Sequence, residues 1–380
     1  MGPDSITRMV IGGEGSISPD VLDPVDQLSV PGVARATVLG ILTAPTMLRL
    51  FQTELARTLD GLIVTECHPR VLKRRLGSRQ VVAYTLVLSG ASNGASCSIE
   101  VVAKRYADGA EGERAFRAMQ GLWGGGFGAG SRLNIPRPLC YLPGPKLLIQ
   151  DMARGMLLPE CLGRSDPAAL VPFRMAAWWL DKLHRSPASA VPVASDEEDA
   201  SAVTHFADQL AGRYPHLARR VADVAASIRG RLSARKTTPL AVTHGDFHPE
   251  NIFVTGATTT VIDFDRCARS DPARDLAYFV ADVRDLGHRA RGSPDAANEQ
   301  LGAFLNAYWA ASQPGERERL GPRICAYVGQ RVLERMYYVV GVLGVGSADE
   351  VSAGLEEIDR FLRATDVGEE LRSAAAEGLS

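Results

Sequence analysis

Two short segments, residues 244–251 and 262–265, constrain the fold of this chain more than any other part of the sequence. The residues between them are rich in β-branched side chains and contain a turn at residues 255–257, a pattern that predicts a β-hairpin. A hairpin of this length returns Asp263 to the neighbourhood of Asn251. The sequence therefore predicts an amide oxygen and a carboxylate close enough to bind one metal ion.

An aspartate that precedes this hairpin completes a set of groups suited to phosphoryl transfer. Asp246 can accept or orient the proton of an attacking hydroxyl, while Asn251 and Asp263 can hold the Mg²⁺ that bridges nucleotide phosphates. The order Asp, Asn five residues later and Asp after a hairpin matches the catalytic loop and metal-binding aspartate of protein kinases. We therefore predict that these three residues are catalytic, with ATP or alternatively GTP and Mg²⁺ as cofactors.

The two histidines of the first segment allow another interpretation, a zinc site. His244 and His248 have the spacing of two ligands on a helix, but Pro249 opposes a helix there, and the glutamate of zinc peptidases does not follow the first histidine. A structural role is favoured for His244, with a bond to the backbone near Asp263. Packing within the loop is favoured for His248.

The same segments, with the later Asp-Pro-Ala-Arg-Asp-Leu at residues 271–276, resemble the aminoglycoside phosphotransferase and choline kinase family. In that family the catalytic loop begins His-Gly-Asp. The resemblance implies an α+β, bilobal protein-kinase-like fold, with a β-rich N-lobe and a mostly helical C-lobe. We expect residues 1–45 to form a loosely ordered extension, 46–152 the N-lobe and 153–380 the C-lobe. Asp271 and Asp275 are expected to be structural, with Asp271 capping a helix.

A kinase-like N-lobe must supply a lysine and a helix glutamate. Lys104 follows a strand-like run of apolar residues, and we expect it to hold the nucleotide phosphates. Glu113, in the helix that follows, is expected to pair with Lys104, and Glu111 is its rival. The alternatives are a surface lysine at the end of a strand and two solvated acids in the first turn of a helix.

The other contacts to the nucleotide are expected from two segments. The family places a turn that covers the phosphates at residues 71–80, where this chain departs from the usual glycine-rich sequence and offers Ser78 and Arg79 within a basic turn. A solvated hairpin is the alternative there. The Asp151 carbonyl and the Ala153 amide are expected to pair with the base. The glycine-rich run at residues 124–130 resembles a phosphate loop, but its position after the helix argues against that role.

The composition excludes several classes of protein. The chain has 380 residues, 46% hydrophobic and 23% charged, which is typical of globular proteins and sufficient for two lobes. With 42 basic and 44 acidic residues and a net charge of −2, no nucleic-acid partner is expected. The six cysteines form no metal-binding or disulfide pattern. Since no segment resembles a membrane span or a secretion signal, we predict a cytoplasmic protein with no membrane partner.

The identity of the acceptor stays open at this level. The first hypothesis is a hydroxyl of a small molecule, such as an antibiotic, an amino-alcohol or a sugar. The second is a Ser or Thr of a natural-product precursor peptide, phosphorylated before elimination, with a biosynthetic partner protein. The third is a non-catalytic nucleotide-binding partner protein. Asp265 has two open interpretations, since it can orient the metal-binding loop or face the substrate.

Overall fold

The computed structural model describes residues 43–55, 59, 62–75, 79–90, 96–162, 167–187, 191–194, 196–233 and 239–371. Residues 1–42, most of the predicted extension, lie outside them. The strands within these residues are β1 (Leu62–Arg75), β2 (Arg79–Gly90), β3 (Ser96–Tyr106), β4 (Leu133–Asn134), β5 (Pro138–Leu142), β6 (Leu147–Asp151), β7 (Met156–Leu157), β8 (Ala241–Thr243), β9 (Ile252–Thr255), β10 (Thr258–Val261) and β11 (Ala268–Ser270).

The α-helices in the same part of the chain begin before the first sheet and dominate after it. They are α1 (Ala44–Glu54), α2 (Gly109–Leu122), α3 (Val171–His184), α4 (Asp196–Arg213), α5 (Ala218–Ser233), α6 (Ala273–Arg291), α7 (Asn298–Ala311), α8 (Glu316–Tyr337) and α9 (Ala348–Arg363). A β-rich part is therefore followed by a mostly helical part, as predicted.

The β-rich part is a five-stranded antiparallel sheet in the order β1-β2-β3-β6-β5. Helix α1 packs on one face of it, where Phe51 meets the ring of Tyr84 edge to face at 5.2 Å. Lys104 lies near the end of the central strand β3, opposite Leu148 of β6. The sheet ends at Asp151, next to the expected lobe boundary at residue 152, and the boundaries themselves stay predictions.

Helix α2 follows β3 and is anchored to the sheet at its first turn. The Asp108 carboxylate accepts a hydrogen bond from the Ala110 amide at 3.0 Å and caps the helix. The Tyr141 hydroxyl of β5 donates to the Gly109 carbonyl at 2.6 Å. Met119 and Leu122, near the end of the helix, are buried in a core shared with the helical part.

Aromatic side chains fill the core of the helical part beneath the catalytic loop. Phe247 of the loop stacks on Trp179 of α3, with centroids 5.7 Å apart and planes at 10°. It also contacts Phe279 of α6, which stacks on Phe304 of α7 at 4.0 Å. Because interiors are densely packed, these rings hold the backbone next to Asp246 in one position.

The hairpin predicted from the two short segments is present. Strands β9 and β10 pair antiparallel, with Ile252 opposite Val261. The turn between them contains Gly256, which has a φ of +52°. The Ile262 amide donates to the Asn251 carbonyl at 3.0 Å, so the chain that enters Asp263 is tied to Asn251 as expected.

The glycine-rich run lies away from any phosphate-loop position. Trp123–Phe127 form a π-helical turn directly after α2. The Lys182 ammonium of α3 donates to the Gly126 carbonyl at 2.6 Å and lies 4.2 Å from the centre of the Phe127 ring. This run therefore joins α2 to the helical core, in agreement with the argument from its position.

None of the helices in the described ranges is both long enough and apolar enough to cross a bilayer.

A buried ion pair links the start of α6 to α8. The Asp271 carboxylate accepts from the Ala273 amide at 3.0 Å, which confirms its predicted capping role. The Arg323 guanidinium donates twice to the other carboxylate oxygen, once from Nε at 2.6 Å. The Asp271 side chain is 0% exposed and that of Arg323 is 9% exposed, so each charge depends on the other.

We expect Arg323→Leu to lower the free energy of unfolding by about 3–5 kcal/mol, because it leaves the Asp271 carboxylate buried without a counter-charge. Urea unfolding followed by circular dichroism measures the loss. Arg317→Leu on the same helix is the matched control, since Arg317 pairs with Asp366 but is 42% exposed, and we expect it to cost less than about 1 kcal/mol. Equal losses in the two variants would contradict the burial argument.

Candidate active site

The carboxylate of Asp275 fixes the start of the predicted catalytic loop, residues 244–251. Strand β8 delivers the chain to the loop and pairs with β11. The Asp275 oxygens then accept from the amides of His244 at 2.7 Å and Gly245 at 2.8 Å. His184 lies 3.2 Å from one of the same oxygens. Since Asp275 is fully buried, its role is structural, as predicted.

His244 has the structural role expected for it. Its ring is buried, with Nε2 2.9 Å from the Ile262 carbonyl oxygen and Nδ1 3.3 Å from the Asp246 amide nitrogen. These partners require Nδ1 to accept and Nε2 to donate, which assigns the tautomer. Both ring nitrogens are engaged in backbone bonds, so neither is available as a zinc ligand.

The carboxylate of Asp246 lies between two basic side chains. Oδ2 is 3.9 Å from Nε2 of His248, and Oδ1 is 3.8 Å from Nη2 of Arg331. Burial raises the pKa of Asp246, but nearby basic groups lower it by a larger amount. The pKa therefore lies below its ordinary value. The main basic groups are His248, Arg331 and Arg266. Asp246 is therefore ionised at neutral pH, and its side chain is 27% exposed.

Sequence reasoning did not find Arg331, which lies on α8. Its guanidinium donates to both oxygens of Asp282 at 3.1 and 2.9 Å and to Glu334 at 2.9 Å. It also lies 4.6 Å from the centre of the Tyr278 ring. These contacts hold Arg331 rigidly beside Asp246. Arg331 and Asp246 are far apart in the chain, and no local sequence motif indicates that they are neighbours.

Asn251 lies next to the segment that contains Asp263, as the hairpin predicts. The Asn251 amide nitrogen donates to the Asp246 carbonyl at 3.2 Å, which leaves its amide oxygen for another partner. Asp263 has a φ of +71°, an uncommon backbone conformation that aspartate tolerates better than most residues. The catalytic loop and the metal-binding segment are thus joined through Asn251.

These two oxygen donors suit Mg²⁺, which takes one or two protein ligands and completes its shell with phosphate and water. Among the residues that the structure describes, no group of three or more His, Cys, Asp or Glu side chains could hold a metal ion. A magnesium ion at Asn251 and Asp263 would therefore depend on nucleotide oxygens as well. The residues present fit that arrangement.

Lys104 reaches Asp263 and Asp265 from β3. Its ammonium donates to Oδ1 of Asp263 at 2.6 Å and to Oδ2 of Asp265 at 2.5 Å. The Tyr106 hydroxyl donates to Oδ1 of Asp265 at 2.6 Å. Tyr106 is a further residue that the sequence interpretation missed, although its position two residues after Lys104 places it on the same face of the strand.

The two carboxylates around Lys104 differ in their acidity. Burial raises the pKa of Asp263, but the charge of Lys104 and its hydrogen bond lower it by a larger amount. The pKa therefore falls well below its usual value. Burial and the neighbouring Asp263 charge raise the pKa of Asp265, against the opposing effects of Lys104 and Tyr106. Asp263 is thus the stronger acid and keeps the charge that a metal ligand needs.

The predicted pairing of Glu113 with Lys104 is not found in the structure. Glu113 forms its ion pair with Arg117, one helical turn further along α2, at 2.5 Å, and its side chain is 46% exposed. Lys104 is bonded instead to Asp263 and Asp265. Arg117 lies four residues after Glu113 on the same helix, a spacing at which the two side chains can pair. The sequence alone did not show whether Glu113 would pair with Arg117 or with Lys104.

The segment expected to meet the nucleotide base lies at the end of β6. The Asp151 amide donates to the Arg137 carbonyl at 2.9 Å, and the Met152 amide donates to the Glu100 carbonyl at 3.1 Å. Within the part of the chain that the structure describes, the Ala153 amide has no hydrogen-bond partner. Nucleotide contacts by Asp151 and Ala153 stay predictions.

The turn expected to cover the phosphates falls at the edge of the described residues. Ser78 lies outside them, and only the backbone of Arg79, at the start of β2, is described. Their assignment to the nucleotide therefore stays a prediction.

The sequence profile of the phosphotransferase enzyme family matches residues 85–321. The match covers more than half of the chain and includes Lys104 and both catalytic segments. The chain therefore belongs to the phosphotransferase enzyme family, and the prediction of a phosphotransferase is confirmed. A comparison with curated proteins found no significant match.

Solved structures with a similar fold are kinases and phosphotransferases. A choline/ethanolamine kinase family protein from Mesorhizobium loti is 17% identical and has a TM-score of 0.52, over 86% of this chain and 98% of that one. A thermostable mutant of aminoglycoside phosphotransferase APH(4)-Ia is 15% identical, with a TM-score of 0.50 over 82% and 98%. An ethanolamine kinase of Plasmodium vivax is 13% identical, with a TM-score of 0.50 over 88% and 95%. The predicted kinase-like fold is confirmed.

We expect Gly245→Ala to destabilise the protein and to displace Asp246, the next residue. Gly245 has a φ of +79°, and a methyl group there would lie 2.3 Å from the Arg266 carbonyl oxygen. Backbone strain and crowding together should lower the free energy of unfolding by about 2–4 kcal/mol, as measured in urea.

Gly256→Ala is the control for backbone strain without crowding. Gly256 also has a positive φ, of +52°, but no atom lies within 4 Å of an added methyl group. We expect a loss of about 1–2 kcal/mol and unchanged phosphoryl transfer. A Gly245→Ala variant as stable and active as Gly256→Ala would refute the claim that the loop needs this close approach.

Proposed function

We propose that this protein transfers the γ-phosphoryl group of ATP to a hydroxyl group of a small molecule, with Mg²⁺ as cofactor. The observation that carries the proposal is the convergence of Asp246, Asn251, Asp263 and Lys104, which come from three separated segments. Hydrogen bonds link these residues, directly or through the loop backbone. Phosphoryl transfer requires this combination of a carboxylate, two metal ligands and a cation.

On the acceptor side, Asp246 would orient the attacking hydroxyl. Its carboxylate is ionised and partly exposed, with Arg331 near one oxygen and His248 near the other. A carboxylate held in this way accepts the hydroxyl hydrogen and aims the oxygen at the phosphorus. The contribution of Asp246 is then mainly positioning, which suits a loose phosphoryl-transfer transition state.

On the nucleotide side, the chain supplies two oxygen ligands and a cation. Asn251 and Asp263 would hold Mg²⁺, which when bound neutralises charge on the nucleotide phosphates. Lys104 would donate to the phosphates from the sheet side. The Ala153 amide, which lacks a partner among the described residues, would donate to the base.

A small-molecule acceptor is supported by the proteins of similar fold, whose names are those of choline/ethanolamine kinases and of an aminoglycoside phosphotransferase. The basic turn at residues 73–79 and the N-terminal extension leave room for a peptide acceptor, since both could contact a leader peptide. The side chains of residues 73–79 and the whole of residues 1–42 lie outside the described ones. The peptide acceptor, the partner protein and the cytoplasmic location therefore stay predictions.

The test is mass spectrometry of pooled alcohols after incubation with the protein, MgCl₂ and either ATP or GTP. The pool contains aminoglycosides, amino-alcohols, sugars and Ser/Thr peptides, and we expect one class of small molecule to gain a single phosphoryl group. Asp246→Asn and Asp263→Asn should each lower kcat by about 10²–10⁴. Unfolding temperatures close to that of the wild type would show that neither variant loses activity by unfolding.

Asp208→Asn is the matched control, because Asp208 is an exposed aspartate on α4. We expect full activity from it. Near-wild-type turnover by either site variant would overturn the assignment of that residue. Phosphorylation of the peptides alone would replace the small-molecule acceptor by a peptide acceptor.

A further inference from the structure

We propose that Asp265, together with Tyr106, positions Lys104 for the nucleotide phosphates, in place of Glu113 of α2. This inference rests on the proposed function, because it concerns the same nucleotide site. It goes beyond that function by assigning the positioning task to a residue for which the sequence left two other roles open.

The geometry at Asp265 is that of a fixed anchor. Its side chain is 3% exposed. One oxygen accepts from the Lys104 ammonium at 2.5 Å and the other from the Tyr106 hydroxyl at 2.6 Å. A carboxylate bonded through both oxygens has one orientation, and a charge-assisted bond in a buried place is strong. The Lys104 side chain, 11% exposed, is therefore directed by Asp265.

The second carboxylate at Lys104 has a different task. Asp263 is a proposed metal ligand, so a bound Mg²⁺ would compete with the Lys104 ammonium for the charge of its carboxylate. An ammonium group has three N–H donors, so Lys104 can keep its bond to Asp265 while other donors turn to phosphate oxygens. The Asp265 contact engages no proposed metal ligand, so it can persist when nucleotide and metal bind.

Helix α2 packs against Tyr106, and its Glu113 forms no ion pair with Lys104. Gly112 lies against the Tyr106 ring, since an added methyl group there would be 2.6 Å from Cδ2 of Tyr106. The Lys104 ammonium lies 5.4 Å from the centre of the same ring. Glu113, the next residue of α2, is exposed and paired with Arg117. The helix thus packs on the tyrosine that holds Asp265.

This arrangement places the anchor of Lys104 two residues from Asp263, on the metal-binding segment itself. The phosphate-binding cation and the metal ligand then belong to one connected unit. A change in the charge of α2 should therefore leave the position of Lys104 unaffected, which distinguishes this arrangement from a lysine held by a helix glutamate.

The test compares Asp265→Asn, Tyr106→Phe and Glu113→Gln, each alone and combined with Lys104→Met. For phosphoryl transfer to the acceptor found above, or to water, we expect Asp265→Asn to lower kcat at least about tenfold. Tyr106→Phe should act in the same direction with a smaller effect, and Glu113→Gln should stay within about twofold of the wild type. In the Lys104→Met background, Asp265→Asn should have no further effect, since it acts through that lysine.

The same variants are also compared by their urea midpoints without nucleotide, which requires no activity. We expect the effects of Lys104→Met and Asp265→Asn to be non-additive, and those of Lys104→Met and Glu113→Gln to be additive. Asp265→Glu, which keeps the charge, should recover part of the lost kcat. If Asp265→Asn does not fold, Tyr106→Phe carries the comparison.

Two results would overturn the proposal. One is a loss of kcat in Glu113→Gln as large as that in Asp265→Asn, and the other is additivity of the Lys104 and Asp265 effects on both kcat and unfolding. A wild-type protein that neither binds nor hydrolyses ATP would overturn the proposed function as well, whatever the urea midpoints are. Normal turnover with additive midpoints and additive kcat effects would overturn only the role of Asp265.

Discussion

The Lys104 ammonium, bonded to Asp263 and Asp265, is the interaction on which the nucleotide site depends. Lys104 belongs to the central strand of the sheet, and the two carboxylates belong to the segment that follows the catalytic hairpin. A buried cation is stable only with its counter-charges in place, so this contact ties the sheet to that segment. The Tyr106 hydroxyl, on the same strand, completes the bonding of Asp265. The distance between Lys104 and Asp263, a proposed metal ligand, is thereby fixed by these hydrogen bonds.

The catalytic loop depends on a second set of buried bonds. Asp275 accepts from two loop amides, and His244 joins the loop to the carbonyl before Asp263. Phe247 stacks in the aromatic core between α3 and α6. These contacts are all structural, yet they determine where the Asp246 carboxylate points. Preorganisation of this kind is what a reaction driven by positioning and charge neutralisation requires.

Much of the site followed from local sequence. The hairpin that joins Asn251 to Asp263 depends on residues close together in the chain, and the structure contains it as predicted. His244 and Asp275 also have the structural roles expected of them, although the bonds of Asp275 reach loop amides far away in the chain. Glu113 does not pair with Lys104 as predicted, because its side chain pairs with Arg117, one helical turn away. Arg331 was missed because α8 reaches Asp246 only after the helices have packed. Local signals predict local contacts, and they do not rank distant partners.

The sequence by itself determined the hairpin between Asn251 and Asp263 and, through the motifs that resemble a known family, the kinase-like fold. The hairpin and the motifs are readable because they depend on short-range spacing and turn chemistry. Only the tertiary structure decided which carboxylate holds Lys104 and which cation borders Asp246. Those choices depend on burial and on distances between segments far apart in the chain. Asp265 holds Lys104 because the fold buries both side chains together with Tyr106, whereas Glu113 remains at the surface with Arg117.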